Sequence, residues 1–364
     1  MSLKKLAALA GTSVATVSRV LSRPDYQCSD PALQKRIWEL AEELDYHPNP
    51  SARELRLGSL GTGDTFKVDF FLARFDSLEK DLFFQEVFQF IKGELMQRGC
   101  LLGKIMNAAE LQSDFGETKG DHIPYKSAGS VRAERRLRSA VAMVELKKNT
   151  GLIILGKCPR ELIVRLQRRY SCMVGIDRNP TEYEYDEVVC DGAAAAQKAV
   201  EYLIGCGHRE IDYIGDCTYE SRYIGYYQSL LAHRIPLDYA NIHPTDQTEE
   251  EGFRAMTQLL EAAKYPKAVF CANDTTAFGV LRAVKTHKKR GYHPSVISID
   301  NTRQAARCRP ALTSIDMPKR ELAHLAMMLL LDRRDGGHQA NVRLELPCRL
   351  VERESCRRLN EVSY

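Results

Sequence analysis

Six polar residues stand where a parallel sheet would offer them to a ligand. Asp177 follows the apolar run CMVGI, Asn273 and Asp274 follow AVFCA, and Asp300 and Asn301 follow SVISI. Arg222 opens a helical stretch after the strand pattern EIDYIGD. Ligands of open α/β sheets collect at the carboxyl ends of the strands. Carboxylates, amides and an arginine together suit a polyhydroxylated ligand, because each hydroxyl both donates and accepts. Asp and Asn also cap helices and turns routinely. Asp274, just ahead of a helix, is read as such a cap, while Arg222 and Asp300 are read as ligand contacts.

A second group lies in AGTSVATVSRVL, residues 10–21. Ser2 can cap a helix over 3–10 with Leu3, Leu6, Ala7 and Ala10 on one face. Gly11 ends it. Ser13 or Thr12 caps a second helix over 14–21, with Val17, Val20 and Leu21 inward and Ala15, Thr16, Ser18 and Arg19 outward. Two helices joined by a short glycine turn make a helix-turn-helix, whose second helix enters the major groove of DNA. Val14 and Ala15 can lie against thymine methyls, Arg19 can reach a guanine edge or a phosphate, and Ser13 and Thr16 suit phosphate oxygens. A helical hairpin inside an ordinary core has the same pattern, and charge does not separate the two: before Gly58 the basic residues exceed the acidic ones by one.

Catalytic and metal-binding patterns are missing. There is no HExxH, GxSxG, P-loop or GxGxxG. The nine histidines are dispersed, and His208, in GCGHREI, reads as structural. The 11 cysteines are odd in number, scattered and without a CxxC pair, which suits reduced thiols. No cofactor, metal or nucleophile is expected, and hence no enzyme.

The elements that must position these residues alternate. Strand patterns FKVDFFL, GLIILG, CMVGID, EIDYIGD, KAVFCA and SVISID are interleaved with helical patterns FFQEVFQFIKGELMQRG, GAAAAQKAVEYLIGCGH, SRYIGYYQSLLAHR and TTAFGVLRAVKTHKKRG. That order predicts a parallel sheet with helices on both faces. The 364 residues, 44% hydrophobic and 27% charged, suit about two or three globular units. The net charge of +4 permits a nucleic-acid partner without requiring one. The longest apolar runs are core-sized, so no membrane span is expected, and MSLKKLAALAGTS lacks the features of a leader. The stretch 114–138 is polar and glycine-rich before turning charged, and reads as a surface excursion.

A third helix is predicted after Asp30, with Pro31 in its first turn and Ile37, Leu40, Ala41 and Leu44 inward. YHPNPSARELRLG follows from Tyr46, with a helix over 51–57 too short to be stable alone. AGTSVATVSRVL followed by ELDYHPNPSARELRLG resembles the DNA-binding head and hinge of the LacI/GalR family of bacterial repressors. The resemblance implies that hinge helices of two subunits pair in the minor groove, with Leu55 as the wedge that kinks DNA. Ala52 would lie at the hinge–hinge contact, Arg56 beside the wedge, and Tyr46 and Asn49 on phosphates. The implied DNA-facing set is completed by Ser2, Leu3, Ser13, Val14, Ala15, Thr16, Ser18 and Arg19.

ESRYIGYYQSL, GCGHREIDYIGD, AVFCANDTTAFGVLRAV, SVISIDN and PALTSIDMP resemble the family's effector core, which is similar to periplasmic sugar-binding proteins. The resemblance implies effector contacts by Arg222, Asn273, Asp300 and Asp177, and by Arg74 or Phe75 from the other lobe. Two departures stand out. The aromatic that stacks on sugar in some members would fall near Gln247, which is not aromatic, and SRPDYQCSDPALQ is roughly one or two residues longer than the family's commonest form. The apolar stripe Leu322, Leu325, Ala326, Leu329 and Leu330 would face a dimer partner, and no leucine heptads follow.

The expected fold is a small all-α helix-turn-helix head plus an α/β bilobal core of two doubly wound parallel sheets. The head spans 1–45, hinge and linker 46–63, and the core 64–364. Its N-lobe takes roughly 64–190 and 317–346, and its C-lobe roughly 191–316 and 347–364. The expected function is a cytoplasmic, homodimeric transcriptional regulator that binds double-stranded DNA at a near-palindromic operator under control of a small effector, a sugar above all. A binding protein whose head has lost DNA activity, and an enzyme on the same fold, are the alternatives. The intact TVSR and Leu55 oppose the first and the missing catalytic groups the second.

Overall fold

The computed structural model describes residues 3–22, 28, 30–43, 65–74, 76–114, 147, 149–177, 184–218, 220–287 and 291–359. Helices α1 (Leu3–Ala10), α2 (Val14–Ser22) and α3 (Pro31–Glu43) build the head. Their inward faces bring Leu6, Ala7, Ala10, Val17, Val20, Leu21, Ile37 and Ala41 into one small core. The turn between α1 and α2 is set locally. Gly11 takes φ +66°, the Thr12 N–H donates to the Ala7 carbonyl at 3.0 Å, and the Gly11 N–H donates to the Ala8 carbonyl at 3.3 Å. These two bonds close the last turn of α1 as a Schellman motif, which a left-handed glycine permits. Ser13 Oγ accepts the Thr16 N–H at 3.1 Å, capping α2. Asp30 Oδ1 caps α3 through the N–H groups of Ala32 and Leu33.

The core has two six-stranded sheets. The first contains β1 (Lys67–Leu72), β2 (Leu101–Asn107), β3 (Thr150–Leu155), β4 (Met173–Asp177), β5 (Asp186–Cys190) and the late strand β11 (Arg343–Leu346). Its order is β11-β5-β4-β3-β1-β2, parallel throughout. The second contains β6 (Asp212–Gly215), β7 (Ile242–Pro244), β8 (Ala268–Cys271), β9 (Ser295–Asp300), β10 (Thr313–Asp316) and β12 (Arg349–Val351), in the order β12-β10-β9-β8-β6-β7. Central strands such as TGLIIL are buried almost end to end, as a sheet covered on both faces requires. One strand departs from the all-parallel expectation: β12 runs antiparallel to β10. The chain leaves β11 at its carboxyl end and, after two connecting residues, enters β12, which runs back along β10.

Helices α4 (Leu82–Gln97), α5 (Ala108–Asp114), α6 (Arg160–Gln167), α7 (Gly192–Gly205), α8 (Ser221–Ala232), α9 (Glu249–Glu261), α10 (Asp274–His287) and α11 (Lys319–Arg334) cover the sheets. Helix α7 buries Ala195, Ala196, Ala199, Val200 and Leu203. Helix α8 crosses it so closely that a Cβ on Gly225 would stand 2.2 Å from the Ala193 carbonyl oxygen. The apolar stripe of α11 is largely taken up within the chain: Leu322, Ala326 and Leu330 are buried in the core, and Leu325 and Leu329 pack against it. The chain passes between the sheets three times, after Cys190, after Asp316 and after Leu346. Among the described residues no helix is long and apolar enough to cross a membrane.

Candidate DNA-reading head and effector cleft

The exposed side of α2 carries the residues expected to read DNA. Ser13, Val14, Ala15 and Arg19 are exposed and Thr16 is half-buried. Val14, at 40% exposure, is an apolar side chain on an otherwise polar face, as contact with base methyls would use. Ser13 Oγ and Thr16 Oγ1 lie 2.9 Å apart, and Arg19 Nε donates to the Ala15 carbonyl at 3.3 Å, folded back along its own helix. Ser2, Tyr46, Asn49, Ala52, Leu55, Arg56 and Phe75, the side chains of Leu3 and Ser18, and nearly all of the 114–138 excursion lie outside the described residues.

In the core, Arg222 lies in the first turn of α8 and is completely buried. Its guanidinium is held on three sides. Nε and Nη2 donate to the two carboxylate oxygens of Glu220, each at 2.8 Å, Nη1 donates to the Ala272 carbonyl at 2.8 Å, and Nη2 donates to Gln247 Oε1 at 2.8 Å. Burial alone would disfavour the charge, but the Glu220 carboxylate more than offsets it, so the guanidinium titrates above its usual range. Glu220 also caps α8. The short spacing Glu-x-Arg lets one carboxylate do both.

Gln247 is the hub of this site. It is buried and adopts φ +63°, uncommon for a non-glycine residue. Its Oε1 accepts from Arg222 and from Arg74 Nη2 at 2.9 Å, and its carbonyl accepts from Asn273 Nδ2 at 3.1 Å. Arg74 follows β1 of the first sheet, so this bond spans the two lobes. Arg222 and Arg74 thus converge on one side-chain amide, and Asn273 holds the backbone carbonyl of the same residue. Sequence reasoning marked Gln247 only as a missing aromatic, and it missed Glu220.

Asp300 ends β9 beside them, close enough that its charge favours the Arg222 cation. Its backbone is strained, at φ +122°, and Asn301 follows at φ +49°. Lys319 Nζ holds the strain in place by donating to the carbonyls of Asp300 at 2.6 Å and Asn301 at 3.0 Å. Asn301 is tied up elsewhere, donating to Asp316 and accepting from Arg353. Asp177 ends β4 on the first lobe and is half-buried. A second bridge between lobes runs through Glu86 of α4, which accepts the Arg303 N–H at 2.7 Å and lies 3.7 Å from Lys319. Burial raises the Glu86 carboxyl above its ordinary value, against the pull of the Arg303 N–H and the Lys319 charge.

One expectation is corrected here. Asp274 does not cap α10; Asn273 does, its Oδ1 accepting the Thr276 N–H at 2.9 Å. Asp274 instead accepts from Ser298 Oγ, Ser314 Oγ and both the N–H and hydroxyl of Thr302. It sits one residue further inside the fold, where three neighbouring segments aim hydroxyls at it.

The head matches the model of bacterial regulatory proteins of the lacI family over residues 2–49, and residues 200–356 match a periplasmic binding protein-like domain. Across 98% of this chain and 96% of its own length, the transcriptional repressor CytR of Escherichia coli K12 is 30% identical. The chain belongs to the LacI family. This LacI-family protein is a DNA-binding transcriptional repressor rather than an enzyme. A CelR–cellobiose complex shares its fold over 98% of this chain and 99% of that one, with a TM-score of 0.63 and 24% identity. The lac repressor dimer bound to operator and the anti-inducer ONPF does so over 98% of each chain, with a TM-score of 0.60 and 21% identity.

Proposed function

We propose that this LacI-family repressor acts in the cytoplasm as a homodimer on a near-palindromic operator, and that an uncharged sugar-like effector controls it from the cleft between the lobes. The head would take residues 1–45, the hinge and linker 46–63 and the core 64–364, with the lobes divided as the sequence suggests. Heads would read half-sites through Ser13, Val14, Ala15, Thr16, Ser18 and Arg19, supported by Ser2, Leu3, Tyr46 and Asn49. Paired hinges would bend the centre through Ala52, Leu55 and Arg56. Arg222, Asn273, Asp300, Asp177, Arg74 and Phe75 would surround the effector.

The observation that carries the effector reading is the shared Gln247 amide. Arg222 of one lobe and Arg74 of the other both donate to it, so a ligand hydroxyl competing for either arginine acts directly on lobe closure. Glu220 already neutralises Arg222, which favours a neutral polyol over an anion. A ligand that prefers one lobe arrangement shifts hinge pairing, and coupling of about 1–3 kcal/mol changes operator affinity about 5- to 150-fold. The cellobiose bound by CelR is of the proposed chemical class.

The test begins with selection from randomised duplexes by fluorescence anisotropy at near-physiological salt. A palindromic site preferred by about 10³-fold or more over random DNA supports the reading; weak, salt-sensitive binding without preference overturns it. On the selected site Leu55→Ala should lose specific binding. Arg222→Ala should keep operator binding and lose the response to cellobiose, ribose and related neutral sugars screened in turn.

A further inference from the structure

Three sulfur atoms meet where the lobes are joined. Cys190 is the last residue of β5, at the first crossing between the sheets. Met317 lies at the second, directly after β10, and Cys348 lies at the third, between β11 and β12. Cys190 pairs in register with Leu346, two residues before Cys348. The Cys190 and Cys348 thiols hydrogen-bond each other, and Cys348 Sγ lies 3.3 Å from Met317 Sδ. Both thiols are buried, and all eleven cysteines are reduced.

We propose that Cys190 and Cys348 form a reversible disulfide when the protein meets hydrogen peroxide, tying the first interlobe crossing to the third. The family resemblance assigns no role to either residue. Cys348 is the nucleophile. The hydrogen bond from Cys190 stabilises its thiolate, burial opposes this, and the Lys198 ammonium, which donates to the Cys348 carbonyl at 2.6 Å, adds to the stabilisation. The Cys348 thiolate attacks one peroxide oxygen. An S–O bond forms, the O–O bond breaks, and hydroxide leaves to become water, giving a sulfenic acid. Cys190 then attacks that sulfur. An S–S bond forms, the S–O bond breaks, and the departing hydroxide takes the Cys190 proton as a second water. Two thiols and one peroxide become one disulfide and two waters, the two electrons passing from sulfur to oxygen. Cys190 and Leu346 are neighbours in the first sheet, and from Cys190 and Cys348 the chain runs on into the second sheet, so the bond fastens two of the three interlobe crossings to each other at their first-lobe ends and restrains the lobe movement on which effector control depends.

The test uses the full-length reduced protein. It is exposed to a few equivalents of hydrogen peroxide, quenched with N-ethylmaleimide, digested and mapped by mass spectrometry. The expected product is a peptide pair joining Cys190 to Cys348, two hydrogens lighter than the separate thiols and restored by dithiothreitol. It should form ahead of oxidation at the more accessible Cys217, Cys308 and Cys356. Hydrogen exchange at the amides just after Cys190 should slow on oxidation of the native protein and stay unchanged in oxidised Cys348→Ser. Oxidation confined to those accessible thiols, sulfinic acid at Cys348 without the bridge, or sulfoxide at Met317 in its place would each overturn the proposal. The mapping needs no variant, so the proposal is decided even where Cys348→Ser folds poorly.

Discussion

Glu220 can be changed to glutamine with almost no change in size, and the result should be severe. Arg222 is wholly buried, and two of its four described hydrogen bonds end on the Glu220 carboxylate. Glutamine keeps one acceptor and turns an NH₂ group toward the other guanidinium N–H, leaving a buried cation without its counter-charge. Removing one partner of a buried pair costs about 3–5 kcal/mol. With a urea slope of about 2–3 kcal/mol per molar for a lobe of this size, the unfolding midpoint should fall by about 1–2 M. Urea denaturation followed by far-ultraviolet circular dichroism reads this directly. The double variant Glu220→Gln with Arg222→Met supplies the internal control. If charge compensation is the cause, it should recover most of the loss, because removing both charges restores a neutral interior. A midpoint within a few tenths of a molar of the native value for Glu220→Gln would refute the reasoning. So would a double variant whose loss equals the sum of the two single ones.

Other consequences are equally open to measurement. Gly225→Ala drives a methyl into the Ala193 carbonyl between α7 and α8 and should cost about 1–3 kcal/mol in urea unfolding. Asp274→Ala strips the acceptor from four buried donors, and at about 1–3 kcal/mol for each donor left unsatisfied it should unfold well below the native midpoint. His338 bridges Asp332 at 2.6 Å and Asp186 at 2.9 Å, and both carboxylates raise its pKa. Its contribution to stability is therefore complete below the ordinary histidine value of about 6.5 and lost as pH rises through the higher folded value. His338→Gln should remove that part of the pH dependence, seen as a flatter midpoint between about pH 6 and 8. Asp186 has the opposite sign. Burial would raise its pKa, but Arg333, the Val342 N–H and His338 lower it, so its contribution fades only as pH falls through that depressed value. Asp186→Asn should lose this increment at neutral pH and show a shallower acid-side decline.

The head was legible because its decisive contacts are local. Gly11 closes α1 onto Ala7 and Ala8, and Ser13 caps α2 onto Thr16. The apolar spacing of Val17, Val20 and Leu21 fixes which face is buried. Strands β1, β3, β4, β6, β8 and β9 were legible as largely apolar runs. Others were not: β2, β5 and β10 were passed over, and so were β7, β11 and β12, which have only three or four residues, largely half-buried, and leave no periodic trace. The helix over Glu249–Glu261 was also passed over; its three leading acids lie in its first turn, where they favour the helix.

For the cleft, the sequence by itself determined which residue types follow the strands: Arg222, Asn273, Asp300 and Asp177 were all singled out from their position after strand patterns. Only the tertiary structure decided what they do to one another. The Gln247 amide joins Arg222, 25 residues away in sequence, to Arg74, 173 residues away, and Cys348 of the third crossing meets Cys190 of the first. Such meetings depend on the order of strands in the sheets. That order is set by packing summed over the whole core, and no local bond encodes it. Caps and turns are short-range chemistry and can be read along the chain; convergence on one buried amide or one pair of thiols exists only once the two sheets are assembled.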